Sequence, residues 1–89
     1  MSDSTERCWL VEREFGQRNV VRIVYATTDG SRYHRRERST TALQTGSPVT
    51  AAVDVSEADL QPVEDDDTRD RYATEAERTA RQYDPDEPI

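Results

Sequence analysis

Residues 20–27 read VVRIVYAT, the strongest strand signal in the chain, and Thr28-Asp29-Gly30 follows them directly. β-branched residues and tyrosine are typical of strands, and Asp-Gly is typical of a hairpin turn. Towards the N-terminus, residues 8–15 (CWLVEREF) alternate well enough to predict a first strand. Residues 31–43 and 49–55 complete a prediction of four strands separated by short turns.

The C-terminal third of the chain changes to helical spacing. Asp65-Asp66-Asp67 suits the first turn of a helix, because carboxylates there accept hydrogen bonds from free main-chain N–H groups. The predicted buried stripe comprises Tyr72, Ala76, Thr79, Ala80 and Tyr83. We therefore predict a helix over residues 66–83 and a single helical turn over 56–60. Residues 8–83 then form one α+β domain between polar tails at 1–7 and 84–89.

The turn between the second and third strands decides which side chains share a face of the sheet. A three-residue loop at 28–30 keeps the odd-numbered residues of all four strands together, including Val21 and Tyr25. A two-residue Asp-Gly turn would instead bring the charged side chains of the third strand beside these apolar ones and bury several charges. The prediction is therefore a four-stranded antiparallel β-meander, with the C-terminal helix across its odd-numbered face and Arg38 opposite Asp54.

The charged residues are unusual in kind. The 89-residue chain has 12 basic residues, all of them arginine, against 19 acidic ones, and its net charge is −7. An acidic surface without lysine is typical of a salt-rich cytoplasm, because carboxylates hold water and counterions at the surface. An ordinary acidic protein that lacks lysine by chance is the alternative. Only 33% of the residues are hydrophobic, so we expect one thin core.

Several kinds of chemistry lack the residues that they need. Without lysine, neither a Schiff base nor the lysine of a phosphate-binding loop is available. Cys8 is the single cysteine and His34 the single histidine, so neither an internal disulfide nor a metal site is expected. We expect no enzyme activity and no cofactor. The sequence has no targeting segment and no apolar run of about 20 residues, which predicts a cytoplasmic protein without a membrane partner.

Arginines concentrate around the predicted third strand. Residues 1–40 carry eight arginines and six acidic residues, whereas residues 41–89 carry four arginines and 13 acidic residues. The even-numbered sheet face would carry a stripe that binds an anion or a partner, and the stripe comprises Arg22, Arg32, His34, Arg36 and Arg38. The alternative is a solvated strand whose arginines pair with Glu12, Glu14 and Asp54.

Two functions are consistent with such a stripe. The leading hypothesis is a non-catalytic interaction module that binds a protein partner, or a second copy of itself, through this mixed-charge face or an edge strand. The alternative is a small nucleic-acid-binding protein that uses the arginines of the stripe. Salt argues against the second function, because at about 1 M salt the Debye length is about 3 Å and electrostatic steering is nearly lost.

Four segments give the chain a resemblance to a known group of proteins. They are Cys8–Arg13 (CWLVER), Tyr25–Thr27 with Asp29-Gly30, Thr50–Val55 and Thr68–Tyr72. On these residues the chain resembles an uncharacterised family of small acidic haloarchaeal proteins. The resemblance implies salt adaptation and no particular activity.

Overall fold

The computed structural model describes residues 4–16, 19–39 and 49–89. Its sheet has five antiparallel strands: β1 (Thr5–Phe15), β2 (Val20–Ala26), β3 (Arg32–Ser39), β4 (Ala52–Ser56) and β5 (Gln61–Pro62). A 3-10 helix covers Glu57–Asp59, and helix α1 covers Asp66–Gln82. The predicted α+β class, with an antiparallel sheet and one C-terminal helix, is confirmed, but the sheet has five strands rather than four.

The strand order is β4-β1-β2-β3-β5, so the predicted meander is wrong. β1 is 11 residues long and pairs with β2 along one part and with β4 along another. Asp54 therefore lies opposite Arg7 of β1, with 3.6 Å between Arg7 Nε and Asp54 Oδ1. The predicted pairing of Asp54 with Arg38 does not occur, because Arg38 lies opposite Val21. Residues 40–43 of the predicted third strand lie outside the described residues.

A short connection curls the sheet. β4 and β5 lie at opposite edges, yet only residues 57–60 join them. Five flat strands would separate these edges by about 19 Å, whereas a connection that is mostly 3-10 helix spans about 13 Å from Ser56 to Gln61. The edges must therefore approach each other. The ion pair between Glu6 of β1 and Arg32 of β3, which passes over β2, is consistent with this curvature.

Helix α1 lies on the convex side of the curled sheet. Asp65 caps its first turn by accepting a hydrogen bond from the Thr68 main-chain N–H, at 2.9 Å. Ala76 packs with Trp9 of β1 in a small convex core. The Thr79 hydroxyl donates to the main-chain oxygen of Leu10, at 2.8 Å, which ties the buried side of the helix to β1.

The concave side holds a second core, which corrects the predicted register. Trp9, which packs with Ala76 of the helix, lies opposite Ala26, so the odd-numbered residues of β2 face away from the helix. The prediction failed at two places: a bulge between Leu10 and Glu12 reverses the alternation of β1, and the β2–β3 register is shifted by one residue. The core residues on this side are Cys8, Val21, Ile23, Tyr25 and Val55, with Leu10, Val49, Val53 and Leu60 packed against them.

The loop at residues 28–31 explains the shifted register. Thr27 N donates to the main-chain oxygen of Arg32, at 3.1 Å, and closes a loop one residue longer than predicted. The Asp29 carboxylate accepts hydrogen bonds from the hydroxyl of Thr27 and from the N–H and hydroxyl of Ser31. These bonds hold the pKa of Asp29 below its usual value. Gly30 has a φ of 72° and lies against the main chain of α1.

The C-terminal residues pack beside β4. The Ala51 N–H donates to the main-chain oxygen of Glu87 and the Ala52 N–H to that of Pro85, both at 2.9 Å. The Ile89 N–H donates to the main-chain oxygen of Val49, at 2.8 Å, and the Ile89 side chain packs against the convex core. Residues 85–89 therefore cover part of the edge that β4 would otherwise expose.

Replacing Gly30 with alanine should lower the free energy of unfolding by about 2–4 kcal/mol. A Cβ at this position would overlap the main-chain oxygen of Arg69 and lie 2.8 Å from the main-chain nitrogen of Ala73, and the positive φ adds strain. Gly16→Ala is the control, because its Cβ would meet only the Val20 oxygen, at 3.3 Å. Urea unfolding followed by Trp9 fluorescence measures both variants, and equal losses would contradict this packing.

The Cys8 thiol should be unreactive in the folded protein. Its side chain is fully buried in the concave core, and burial, helped by the nearby carboxylate of Asp54, raises its pKa to about 11. At pH 8 this lowers the thiolate fraction about 100-fold. Iodoacetamide should therefore label native protein at least about 100-fold more slowly than protein unfolded in urea. Similar labelling rates in the two states would show that the concave core is open.

Candidate anion-binding site

Three cross-strand rows of side chains cover the concave face. They run from β1 through β2 to β3 and are Leu10-Tyr25-His34, Arg13-Ile23-Arg36 and Phe15-Val21-Arg38. Opposed residues on neighbouring strands point to the same face of a sheet. Each row has a buried residue of β2 at its centre. Tyr25, Ile23 and Val21 thus form an apolar floor, and the cationic side chains come from the strands on either side of it, which reduces the free-energy cost of charge burial.

Arg22 does not belong with the other predicted site residues. It alternates with Val21 and Ile23 and so lies on the opposite side of β2. There it is exposed, with Arg22 Nη1 4.0 Å from Glu14 Oε2 and Arg22 Nε 3.7 Å from Glu37 Oε1. Two carboxylates within the chain thus already offset this charge.

Arg32 and His34 lie at the end of β3 where the sheet closes. Arg32 forms its ion pair with Glu6, and both side chains are partly buried. His34 Nδ1 lies 3.3 Å from the main-chain oxygen of Asp59, in the connection that curls the sheet. The structure therefore gives both residues partners within the chain and a part in closing the concave face.

Arg36 and Arg38 are the two predicted site residues that the structure brings together without a carboxylate. Neither forms an ion pair with any residue in the described ranges 4–16, 19–39 and 49–89. Both are half-buried. The Arg36 guanidinium carbon lies 5.8 Å from the ring centroid of Tyr25, a cation–π contact that holds it over the apolar floor.

Two residues outside the predicted stripe lie at or near this opening. Arg13 lies in the same row as Arg36, and its Nη1 donates to the main-chain oxygen of Ile89, at 2.9 Å. The Tyr25 hydroxyl donates to the main-chain oxygen of Thr50, at 3.4 Å. The bulge at Val11 places Arg13 on the concave face. Arg13 was not predicted at the site because the alternation of the sequence does not reveal this bulge.

A cavity of about 190 Å³ opens between these side chains, and its walls are Ile23, Tyr25, Arg36, Arg38, Val49, Thr50 and Val53. Burial raises the pKa of Tyr25, while the positive charges of Arg36, Arg38 and Arg13 act to lower it. The cavity thus combines an apolar wall with positive potential. A carboxylate on a short side chain matches both its size and its charge.

A larger groove, of about 420 Å³, lies at the start of α1, and the tyrosine rings of Tyr33 and Tyr72 form part of its wall. Their centroids are 6.3 Å apart in an edge-to-face contact. Glu64 and Asp65 give this groove acidic character, and it contains no arginine. The smaller cavity, which two arginines line, is therefore the candidate for anion binding.

The side chains that line this opening carry guanidinium, hydroxyl and apolar groups. Within the described part of the chain, no group of three or more His, Cys, Asp or Glu side chains is placed to hold a metal ion. Cys8 is buried in the concave core beneath the cavity. The chemistry that the opening offers is charge-assisted hydrogen bonding to an anion by planar guanidinium groups.

Comparison of the chain with curated proteins and with solved structures gave no match in either set. None of the helices in the described ranges is long and apolar enough to cross a membrane. A family model does match, and it covers residues 1–89. The chain therefore belongs to a family of unknown function, DUF7967.

Proposed function

We propose that this chain is a non-catalytic interaction module. It binds an acidic segment of a protein partner on its concave face, at the cavity beside Arg36 and Arg38. Arg36 and Arg38 are the principal contacts, and Arg13 adds positive potential. One observation carries the proposal: these two half-buried arginines have no carboxylate partner among the described residues.

The charge balance of the chain supports this assignment. With 19 acidic residues against 12 arginines, every arginine could in principle pair within the chain. Arg22 and Arg32 do pair with carboxylates, whereas Arg36 stacks on Tyr25 instead. A half-buried cation that keeps no local anion is partly desolvated, so an incoming carboxylate gains more there than at an exposed arginine.

The cavity wall favours a protein segment over a phosphodiester chain. Apolar and aromatic side chains line most of it, including Ile23, Val49 and Val53. A peptide can place a carboxylate beside the arginines and an aliphatic carbon against this wall, whereas a nucleic-acid backbone offers mainly charge. We also propose a salt-rich cytoplasm as the setting, since all 12 basic residues are arginine. Close bidentate arginine contacts are less affected by screening than long-range attraction.

The double variant Arg36→Gln/Arg38→Gln should weaken partner binding by at least about tenfold, because hydrogen bonds to charged groups contribute about 1.5–3 kcal/mol each. The measurement is quantitative capture of the partner from nuclease-treated lysate at about 1 M KCl. Arg22→Gln is the matched control, since Arg22 lies on the other side of the sheet and is exposed. Equal losses in the two variants, or none in the double variant, would exclude this site.

A second candidate function, binding of single-stranded nucleic acid, is favoured by one observation. Phe15 is 73% exposed and lies in the same cross-strand row as Arg38. An exposed ring beside arginines is a platform on which a base can stack.

Under this second function, Phe15→Ala should weaken binding of an oligothymidine by roughly 5- to 150-fold, which corresponds to about 1–3 kcal/mol per stacked base. Fluorescence anisotropy with a labelled oligonucleotide measures the change. The same variant should leave capture of an acidic protein partner nearly unchanged. An oligonucleotide affinity that is insensitive to Phe15→Ala would remove the support for this candidate.

A further inference from the structure

We propose that the acidic segment binds as an added antiparallel β-strand on the outer edge of β3, with alternate carboxylates pointing to Arg36 and Arg38. This inference rests on the proposed function and specifies the conformation and sequence pattern of the partner. It depends on two features of β3: which main-chain groups point outward, and which side chains lie beside them.

Hydrogen bonds at the start of β3 fix the direction of its main-chain groups. The Arg32 oxygen accepts from Thr27, at 3.1 Å, so even-numbered residues of β3 direct their N–H and C=O groups towards β2. The Ser31 oxygen accepts from Val63, at 2.9 Å, so odd-numbered residues point the other way. Main-chain direction alternates along a strand. The N–H and C=O groups of Arg35 and Glu37 therefore face outward.

No other described segment pairs with these outward groups. β5 is only two residues long, and its pairing with β3 ends at Tyr33, which lies opposite Gln61. Among the described residues, none donates to or accepts from the main chain of Arg35 or Glu37 on that side. Unpaired groups at a sheet edge form a template for another strand.

The side chains on this edge match a peptide with alternate acidic residues. In an antiparallel pair, the residues opposite Arg35 and Glu37 would exchange main-chain hydrogen bonds with them. The residue opposite Arg36 would then be in a non-hydrogen-bonded pair, where Cα atoms approach to about 4.5 Å and side chains lie closest. Its carboxylate would lie on the concave side, beside the cavity. A second carboxylate, two residues along, would meet Arg38 in the same way.

This arrangement selects a peptide over a nucleic acid. The Arg35 and Glu37 main chain presents both donors and acceptors, and an extended peptide supplies their complements at strand spacing, whereas a phosphodiester backbone supplies acceptors alone. The edge from Arg35 to Arg38 carries three cations and one carboxylate, which is complementary to an acidic strand. Main-chain hydrogen bonds also act at contact distance, within the Debye length of about 3 Å at 1 M salt.

The test uses three synthetic peptides titrated into the full chain at about 1 M KCl. The parent is a capped seven-residue peptide in which threonine and glutamate alternate. One derivative is N-methylated at every threonine and the other at every glutamate. When the glutamates face Arg36 and Arg38, the threonine N–H groups point towards β3 and the glutamate N–H groups point away. Threonine methylation should therefore weaken binding by at least about tenfold, and glutamate methylation should leave the affinity close to that of the parent.

Hydrogen exchange followed by NMR provides an independent readout. The parent peptide should slow exchange of the amide protons of Arg35 and Glu37, which point outward. The amides of Arg36 and Arg38 already point towards β2 and should change little. Exchange that is unchanged at Arg35 and Glu37 in the saturated complex would overturn strand addition.

The remaining outcomes separate this inference from the proposed function. If the three peptides bind equally and Arg36→Gln/Arg38→Gln weakens all of them, strand addition is wrong and the anion site stands. Loss confined to glutamate methylation would overturn the antiparallel orientation. If the parent peptide does not bind at about 1 mM while an oligothymidine binds through Arg36 and Arg38, both the inference and the protein-partner proposal fail in favour of the second candidate.

Discussion

The four residues between β4 and β5 impose the shape of the whole sheet. Because residues 57–60 are too short to cross five flat strands, the two edges must approach, and the sheet has a concave and a convex side. A chain with 33% hydrophobic residues cannot fill one large core. Curvature lets the same sheet bury two small ones, with Ile23 on the inner side and Trp9 against the helix on the outer.

The curvature also explains how a strand with so many charges can border a core. On a flat sheet, the side chains opposite Ile23 and Tyr25 would lie over the middle of the buried face. Beyond Tyr33, no described strand lies on the outer side of β3, and each cation of this strand has a different environment. Arg32 reaches Glu6, His34 lies beside the main chain of Asp59, and Arg36 extends over the Tyr25 ring. A carboxylate, a main-chain oxygen and an aromatic ring thus each lower the free-energy cost of placing a cation beside the core.

Much of the local structure could be predicted from the sequence, and the global register could not. VVRIVYAT gave a strand and the acidic cluster before Thr68 gave a helix start, because both depend on neighbours in the chain. The pairing of β4 with β1 is a long-range choice with no local signal. The bulge at Val11 and the loop held by Asp29 each shift alternation by one residue, and such a shift reverses a face. Arg36 and Arg38 were predicted as site residues from charge alone, whereas Arg13 required the bulge.

The charges on β3 are also what an edge strand needs to avoid unwanted association. Arginine and glutamate on an edge discourage pairing with another copy of the same edge, because like charges would then lie opposite one another. The same side chains favour an edge of opposite charge. Under the proposed function, protection and recognition are one property seen with two partners. The charges of RYHRRERS would disfavour self-pairing and, by the same electrostatics, would favour an acidic strand. Protection alone does not explain why Arg36 stacks on Tyr25 beside an apolar cavity, since a fully solvated arginine would protect the edge equally well.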